Sequence, residues 1–219
     1  MQTRTLDLKD GKIAYDDSGS GPLVVCAPSM GDLRTEYRFL IPLLVEAGYR
    51  VVSVDLRGHG DSSAAWADVS IEVMGSDLVE LIRSLDAGPA TIIGTSMSAA
   101  TGVWAAAEAP ELVNGLALIG PFVRDTQPLW KSRLMFTPLF ARPWGPAVWM
   151  RYFSTLYPSR QPADFAAYCA ALRDKLNDPA RLSALRRMMT SSKAGSEARL
   201  SRVNTPVLVL MGSKDPDFP

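Results

Sequence analysis

Nine residues limit what this chain can fold into more than any other stretch: Ile92-Ile93-Gly94-Thr95-Ser96-Met97-Ser98-Ala99-Ala100. The apolar start reads as a buried strand, and the small residues that follow read as a helix packed closely on its neighbours. A single residue, Ser96, stands at the corner. A turn that tight lifts its side chain above the sheet edge and brings the flanking backbones nearly into contact, so positions two before and two after must be small. Gly94 and Ser98 meet that demand, Ser98 standing where the G-x-S-x-G pattern has its second glycine. The helix start also leaves free N–H groups beside the serine, where negative charge could develop. A serine that merely caps a helix would look similar, so the rest of the chain must decide.

That rest alternates strands with helices. Residues 3–8 and 12–15 read as two strands joined at Asp10-Gly11, a dipeptide suited to hairpin turns that need φ > 0. Residues 23–27 form a continuous apolar run, a strand covered on both faces. Tyr37, Leu40, Ile41, Leu44 and Val45 recur at helical spacing, with Pro42 in the early turns and Gly48 closing the helix. Strands follow at 49–55, 90–93 and 115–119, with helices over 70–85, capped by Ser70, and 97–109. Such alternation predicts an α/β fold, a mostly parallel twisted sheet with helices on both faces.

From 121 to 200 the pattern turns helical and rich in Trp, Met and Phe. One helix buries Phe165, Tyr168, Cys169, Leu172 and Leu176. The next starts at Asp178-Pro179, an acid cap followed by proline at the first helical position, and continues through Leu182, Leu185 and Met189. The expected organisation is therefore a core of residues 1–120 and 201–219 with a helical lid, 121–200, inserted in it. Strand pattern returns in Val207-Leu208-Val209-Leu210-Met211.

Bulk numbers exclude little but agree with this. The 219 residues are 47% hydrophobic, enough for a real core. With 23 basic and 23 acidic side chains, the overall charge points to neither nucleic acid nor an anionic membrane. The polar first residues are unlike a secretory leader, and no run approaches the ~18 apolar residues of a membrane span. Cys26 and Cys169 are far apart without metal-ligand spacing, as expected of two free thiols in a cytoplasmic protein.

Three segments in register now identify a family. Ala27-Pro28-Ser29-Met30-Gly31 follows the third strand, Asp55-Leu56-Arg57-Gly58-His59-Gly60-Asp61-Ser62 the fourth, and the serine corner the fifth. From about residue 12 to 219 the chain resembles the α/β-hydrolase superfamily, with its oxyanion loop, D-x-R-G-x-G-x-S loop and nucleophile elbow. The resemblance implies Ser96 as nucleophile and the backbone N–H groups of Met97 and Met30 as the oxyanion hole, although the usual His-Gly of that loop is Pro28-Ser29 here. Ser29 either offers a hydroxyl near the oxyanion or is a plain turn residue. In the loop after the seventh strand, Gly212-Ser213-Lys214-Asp215 makes Asp215 the expected acid, with Asp217 and the more distant Asp125 as other options. The family's order then requires a histidine after the acid. The one histidine, His59, belongs to a loop that the family carries whether or not it is catalytic, so its expected role is structural. An apolar seventh strand would also make a poor bare edge. The expectation is that the natural protein continues with another strand, a histidine loop and a final helix.

The resulting reading is a serine hydrolase of a small-molecule ester, lactone or related acyl compound, without metal or organic cofactor. Phe122, Trp130, Met135, Phe136, Trp144, Trp149 and Met150 are expected either to roof an apolar pocket or to pack the lid on the core; Phe122, Trp130, Phe136 and Trp149, with Ser29, are the candidates for substrate contact. Cofactor-free perhydrolysis, carbon–carbon hydrolysis and a ligand-binding signalling module of the same fold remain alternatives.

Overall fold

Alternating β-branched runs and helical repeats condense into one seven-stranded sheet in the computed structural model, which describes residues 3–218 and leaves Met1, Gln2 and Pro219 outside it. The strands are β1 (Thr3–Leu8), β2 (Gly11–Ser18), β3 (Leu23–Ala27), β4 (Arg50–Val54), β5 (Ala90–Thr95), β6 (Val113–Ile119) and β7 (Val207–Leu210). Their order is β1-β2-β4-β3-β5-β6-β7; the first two pairings are antiparallel and the remainder parallel. The chain is thus an α/β protein whose parallel strands run to a common carboxyl edge, where ligands of such sheets bind.

The first hairpin corrects one expectation. Leu8 pairs with Gly11, so the turn is Lys9-Asp10 and Gly11 already belongs to β2. Its φ is not positive; a Cβ there would lie 2.8 Å from the Trp66 ring. The glycine answers to packing rather than to turn geometry.

Helices α1 (Leu40–Glu46), α2 (Ile71–Leu85) and α3 (Met97–Glu108) connect the strands. Pro42 is the third residue of α1, where its missing N–H costs nothing. Tyr37 lies instead in a preceding 3₁₀ turn, Arg34–Tyr37, and its hydroxyl donates to the Ala27 carbonyl at 2.7 Å. Ser70 occupies the N-cap of α2, but its hydroxyl makes no capping bond. α2 buries Ile71, Met74, Leu78, Leu81 and Ile82, as its spacing predicts, against the same core as β5 and α3.

Between β6 and β7 lie five helices and no strand: α4 (Leu129–Leu139), α5 (Gly145–Thr155), α6 (Phe165–Leu176), α7 (Pro179–Met189) and the single turn α8 (Ala194–Glu197). Asp178 caps α7 by accepting from the Ala180 N–H at 2.8 Å. These helices have their own apolar cluster around Trp149, Phe153, Tyr168, Leu172 and Leu185. All four β7 side chains are exposed, between 46% and 56%, at the open edge beside β6. No helix among the described residues is long and apolar enough to cross a membrane.

Candidate active site

The corner between β5 and α3 is built on backbone contact. Ser96 has φ +55° and ψ −119°, a conformation L-residues rarely adopt. A Cβ on Gly94 would fall 2.6 Å from the Ser98 carbonyl oxygen, which is why only glycine fits. The Ser96 N–H donates to the Ile119 carbonyl at 2.8 Å, anchoring the corner to the end of β6. Ser98, in place of the pattern's second glycine, is fully buried, and its hydroxyl donates to the Pro28 carbonyl at 2.5 Å. The departure from the pattern therefore ties the elbow to the loop after β3.

That loop has one free donor. The Ser29 N–H donates to Glu36 Oε2 at 2.6 Å, the Gly31 N–H to His59 Nε2 at 2.9 Å, and the Asp32 N–H to the Ser29 carbonyl at 3.1 Å. Among the described residues the Met30 N–H makes no hydrogen bond, and neither does that of Met97, the first residue of α3. Both expected donors are thus without a partner among the described residues.

His59 is 3% exposed and fully engaged: Nδ1 faces the Arg57 carbonyl at 2.8 Å while Nε2 accepts from Gly31. Burial lowers its pKa, so the neutral ring with its proton on Nδ1 fits both bonds. It holds the Met30 loop as well as its own and has no nitrogen left for Ser96. The rest of the Asp55–Ser62 segment is scaffold too. Arg57 makes a two-pronged pair with Asp77 at 2.5 and 2.7 Å. Asp55 takes the Arg34 and Asp61 N–H groups at 2.8 Å each, filling the space where a Gly60 Cβ would stand.

Ser96 sits where two cavities meet. One, about 560 Å³, includes Ser29, Asp32, Glu36, Thr95 and Asp215 together with Ile119, Phe153, Leu156 and Tyr157. The other, about 500 Å³, is lined by Met97, Phe136, Leu139, Phe140, Val148 and Met188. Met30, Phe122, Trp149, Tyr152 and Asp217 border both. Ser29, Phe122, Phe136 and Trp149 are thus brought to the serine. Trp130 is not: it is 63% exposed and lines neither cavity, because its position on α4 faces away from Phe136. Trp144 and Met135 are likewise exposed, while Trp149 is 2% exposed and donates to the Gly31 carbonyl at 3.2 Å.

Of the three acids considered, Asp215 shares the first of these cavities with Ser96 and lies beside Gly120, whose added Cβ would be 3.4 Å from its carboxylate. Asp217 accepts from the Tyr152 hydroxyl at 2.6 Å, and Asp125 is occupied by Ser192 and Lys193. Sequence reasoning missed Asp32 and Glu36. Burial, then the charge of its neighbour, holds the Glu36 carboxyl above its ordinary range; burial does the same to Asp32, against the Tyr168 hydroxyl that donates to it at 2.5 Å. Two acids four residues apart, directly after the Met30 loop, were the available signal.

Comparisons with known proteins bear on the fold and the family. A family model described as the alpha/beta hydrolase fold matches residues 22–219. A Mycobacterium tuberculosis protein named as a non-heme bromoperoxidase, BpoC, is 37% identical over 108 residues, which are 49% of this chain and only 41% of that relative. The 3-oxoadipate enol-lactonase 2 of Acinetobacter baylyi is 25% identical over 97% of this chain and 79% of its own. An enol-lactonase structure from Burkholderia xenovorans superposes with a TM-score of 0.78 at 22% identity, covering 96% of this chain and 81% of that one, a likeness of fold alone.

Proposed function

For a chain that belongs to the α/β-hydrolase fold family, we propose the chemistry of a serine hydrolase acting on a carboxylic ester, lactone or similar acyl compound. The observation that carries this is Ser96, held at φ +55° and lining two cavities, with the N–H groups of Met30 and Met97 left without partners among the described residues. Ser96 Oγ attacks the carbonyl carbon and loses its proton. The negative oxygen settles on the N–H groups of Met30 and Met97, donors typically worth ~3–4 kcal/mol in a transition state. Collapse expels the leaving group, which takes up the proton, and water then releases the acyl group from the serine.

The proton needs an acceptor that His59 cannot be. We infer that Asp215 orients the group that takes this proton. The helices between β6 and β7 act as the lid, with Phe122, Phe136 and Trp149 contacting substrate and the Ser29 side facing its polar half. Perhydrolysis on the same serine is a second reading, favoured by the name that BpoC carries.

Intact-mass spectrometry after fluorophosphonate treatment tests the reading. One adduct is expected on the native chain and none on Ser96→Ala. A native chain that stays unmodified, or a mutant that is modified equally, overturns it.

A further inference from the structure

Helix α4, Leu-Trp-Lys-Ser-Arg-Leu-Met-Phe-Thr-Pro-Leu, spreads its large apolar residues around the helix instead of gathering them on one face, with Lys131 and Arg133 among them. One side is accounted for: Leu129, Ser132, Phe136 and Leu139 form a wall of the second cavity beside Ser96. The other side is bare. Trp130 is 63% exposed, Leu134 71% and Met135 47%, and just past the helix Trp144 is 53% exposed, its indole N–H held by the Pro138 carbonyl at 3.0 Å. Isolated exposed apolar residues need no explanation, but large side chains concentrated on one helix do.

The charge around them bears on what could cover them. Between Asp125 and Asp164 the chain carries five basic residues, Lys131, Arg133, Arg142, Arg151 and Arg160, and no acidic one. All five are exposed, and none forms an ion pair among the described residues. Elsewhere on this molecule cations are routinely matched, as Arg38 is by Asp164 and Arg50 by Asp17. Lys131 and Arg133 alternate with the apolar residues on α4 itself, the Lys131 ammonium lying 5.6 Å from the centre of the Trp130 ring. A second copy docking by the same face would set these cations against their equivalents. Tryptophan and leucine flanked by unmatched lysine and arginine instead suit the boundary of an anionic bilayer, where indole and ammonium both find partners.

We propose that the outer face of α4, with Trp130, Leu134, Met135 and Trp144 as apolar anchors and the neighbouring Lys131, Arg133 and Arg142 as charge contacts, docks this protein onto an anionic lipid surface. The helix lies in the plane of the interface, and its inner face remains the cavity wall. This docking does not depend on the serine chemistry, so the two can fail separately.

The test is co-sedimentation of the full chain with vesicles of equimolar phosphatidylglycerol and phosphatidylcholine, against phosphatidylcholine alone. Binding to the anionic vesicles, weakened by high salt and accompanied by a blue shift of tryptophan emission, is expected. The double variant Trp130→Ser/Leu134→Ser should lower partitioning about tenfold or more. Lys131→Glu/Arg133→Glu should do the same, and it keeps the test decisive if the first pair misfolds. Three outcomes overturn the proposal: no binding to anionic vesicles, binding unchanged in variants that retain their circular dichroism, or a dimer in solution that Trp130→Ser dissolves.

Discussion

Ser96 and Asp215 border the same cavity, yet the molecule holds them by different means. The serine stands on β5, a central strand between β3 and β6, with its own N–H on β6 and its helix tied through Ser98 to the loop after β3. The acid hangs from β7, an edge strand with half-exposed side chains, in a turn closed by the Asp215 N–H donating to Gly212. One half of the site is fixed by contacts between backbones, which cannot yield; the other is fixed by a short loop with solvent behind it. A nucleophile must be placed in a strained conformation, whereas an orienting acid needs only to be within reach.

Substitutions should separate the two halves. Gly94→Ala drives a Cβ into the Ser98 carbonyl and should cost about 2–4 kcal/mol in urea unfolding, with loss of the Ser96 adduct. Adduct formation at the native rate in this variant would mean the corner is not set by that contact. Glu36→Gln probes the polar floor between the halves. Its carboxyl, raised by burial from 4.5 to about 8, binds more protons folded than unfolded. Its contribution is therefore full below the ordinary glutamate range and lost as pH rises toward about 8, on the order of a few kcal/mol at most. Native stability should decline across that window, and the variant should flatten the decline; equal slopes would remove Glu36 as the cause. Val209→Thr, on exposed β7, should change stability by less than about 0.5 kcal/mol. A larger loss would show that this edge is covered in the molecule measured.

The elbow was legible in the sequence because its constraint is steric and local: backbone contact at Gly94 appears directly as a missing side chain. The parallel strands were legible for a similar reason, since buried strands are written as unbroken apolar runs; their order was not. Trp130 was not legible, because an apolar helix does not say which of its two faces meets a cavity. Asp32 and Glu36 look like ordinary loop acids until the fold buries them. The overall charge of zero concealed the most, averaging away a stretch from Lys131 to Arg160 that is basic throughout. Gly11 was read for its conformation, while Trp66, far along the chain, is what requires it.

His59 has one more consequence, for observation rather than chemistry. The carbon-bound imidazole protons of His59 give a pair of resonances that proton NMR can follow. Because Nδ1 and Nε2 are bound to Arg57 and Gly31, that pair reports on the seating of the Met30 loop. The molecule carries its own magnetic probe about one peptide away from the donor that the proposed reaction would use.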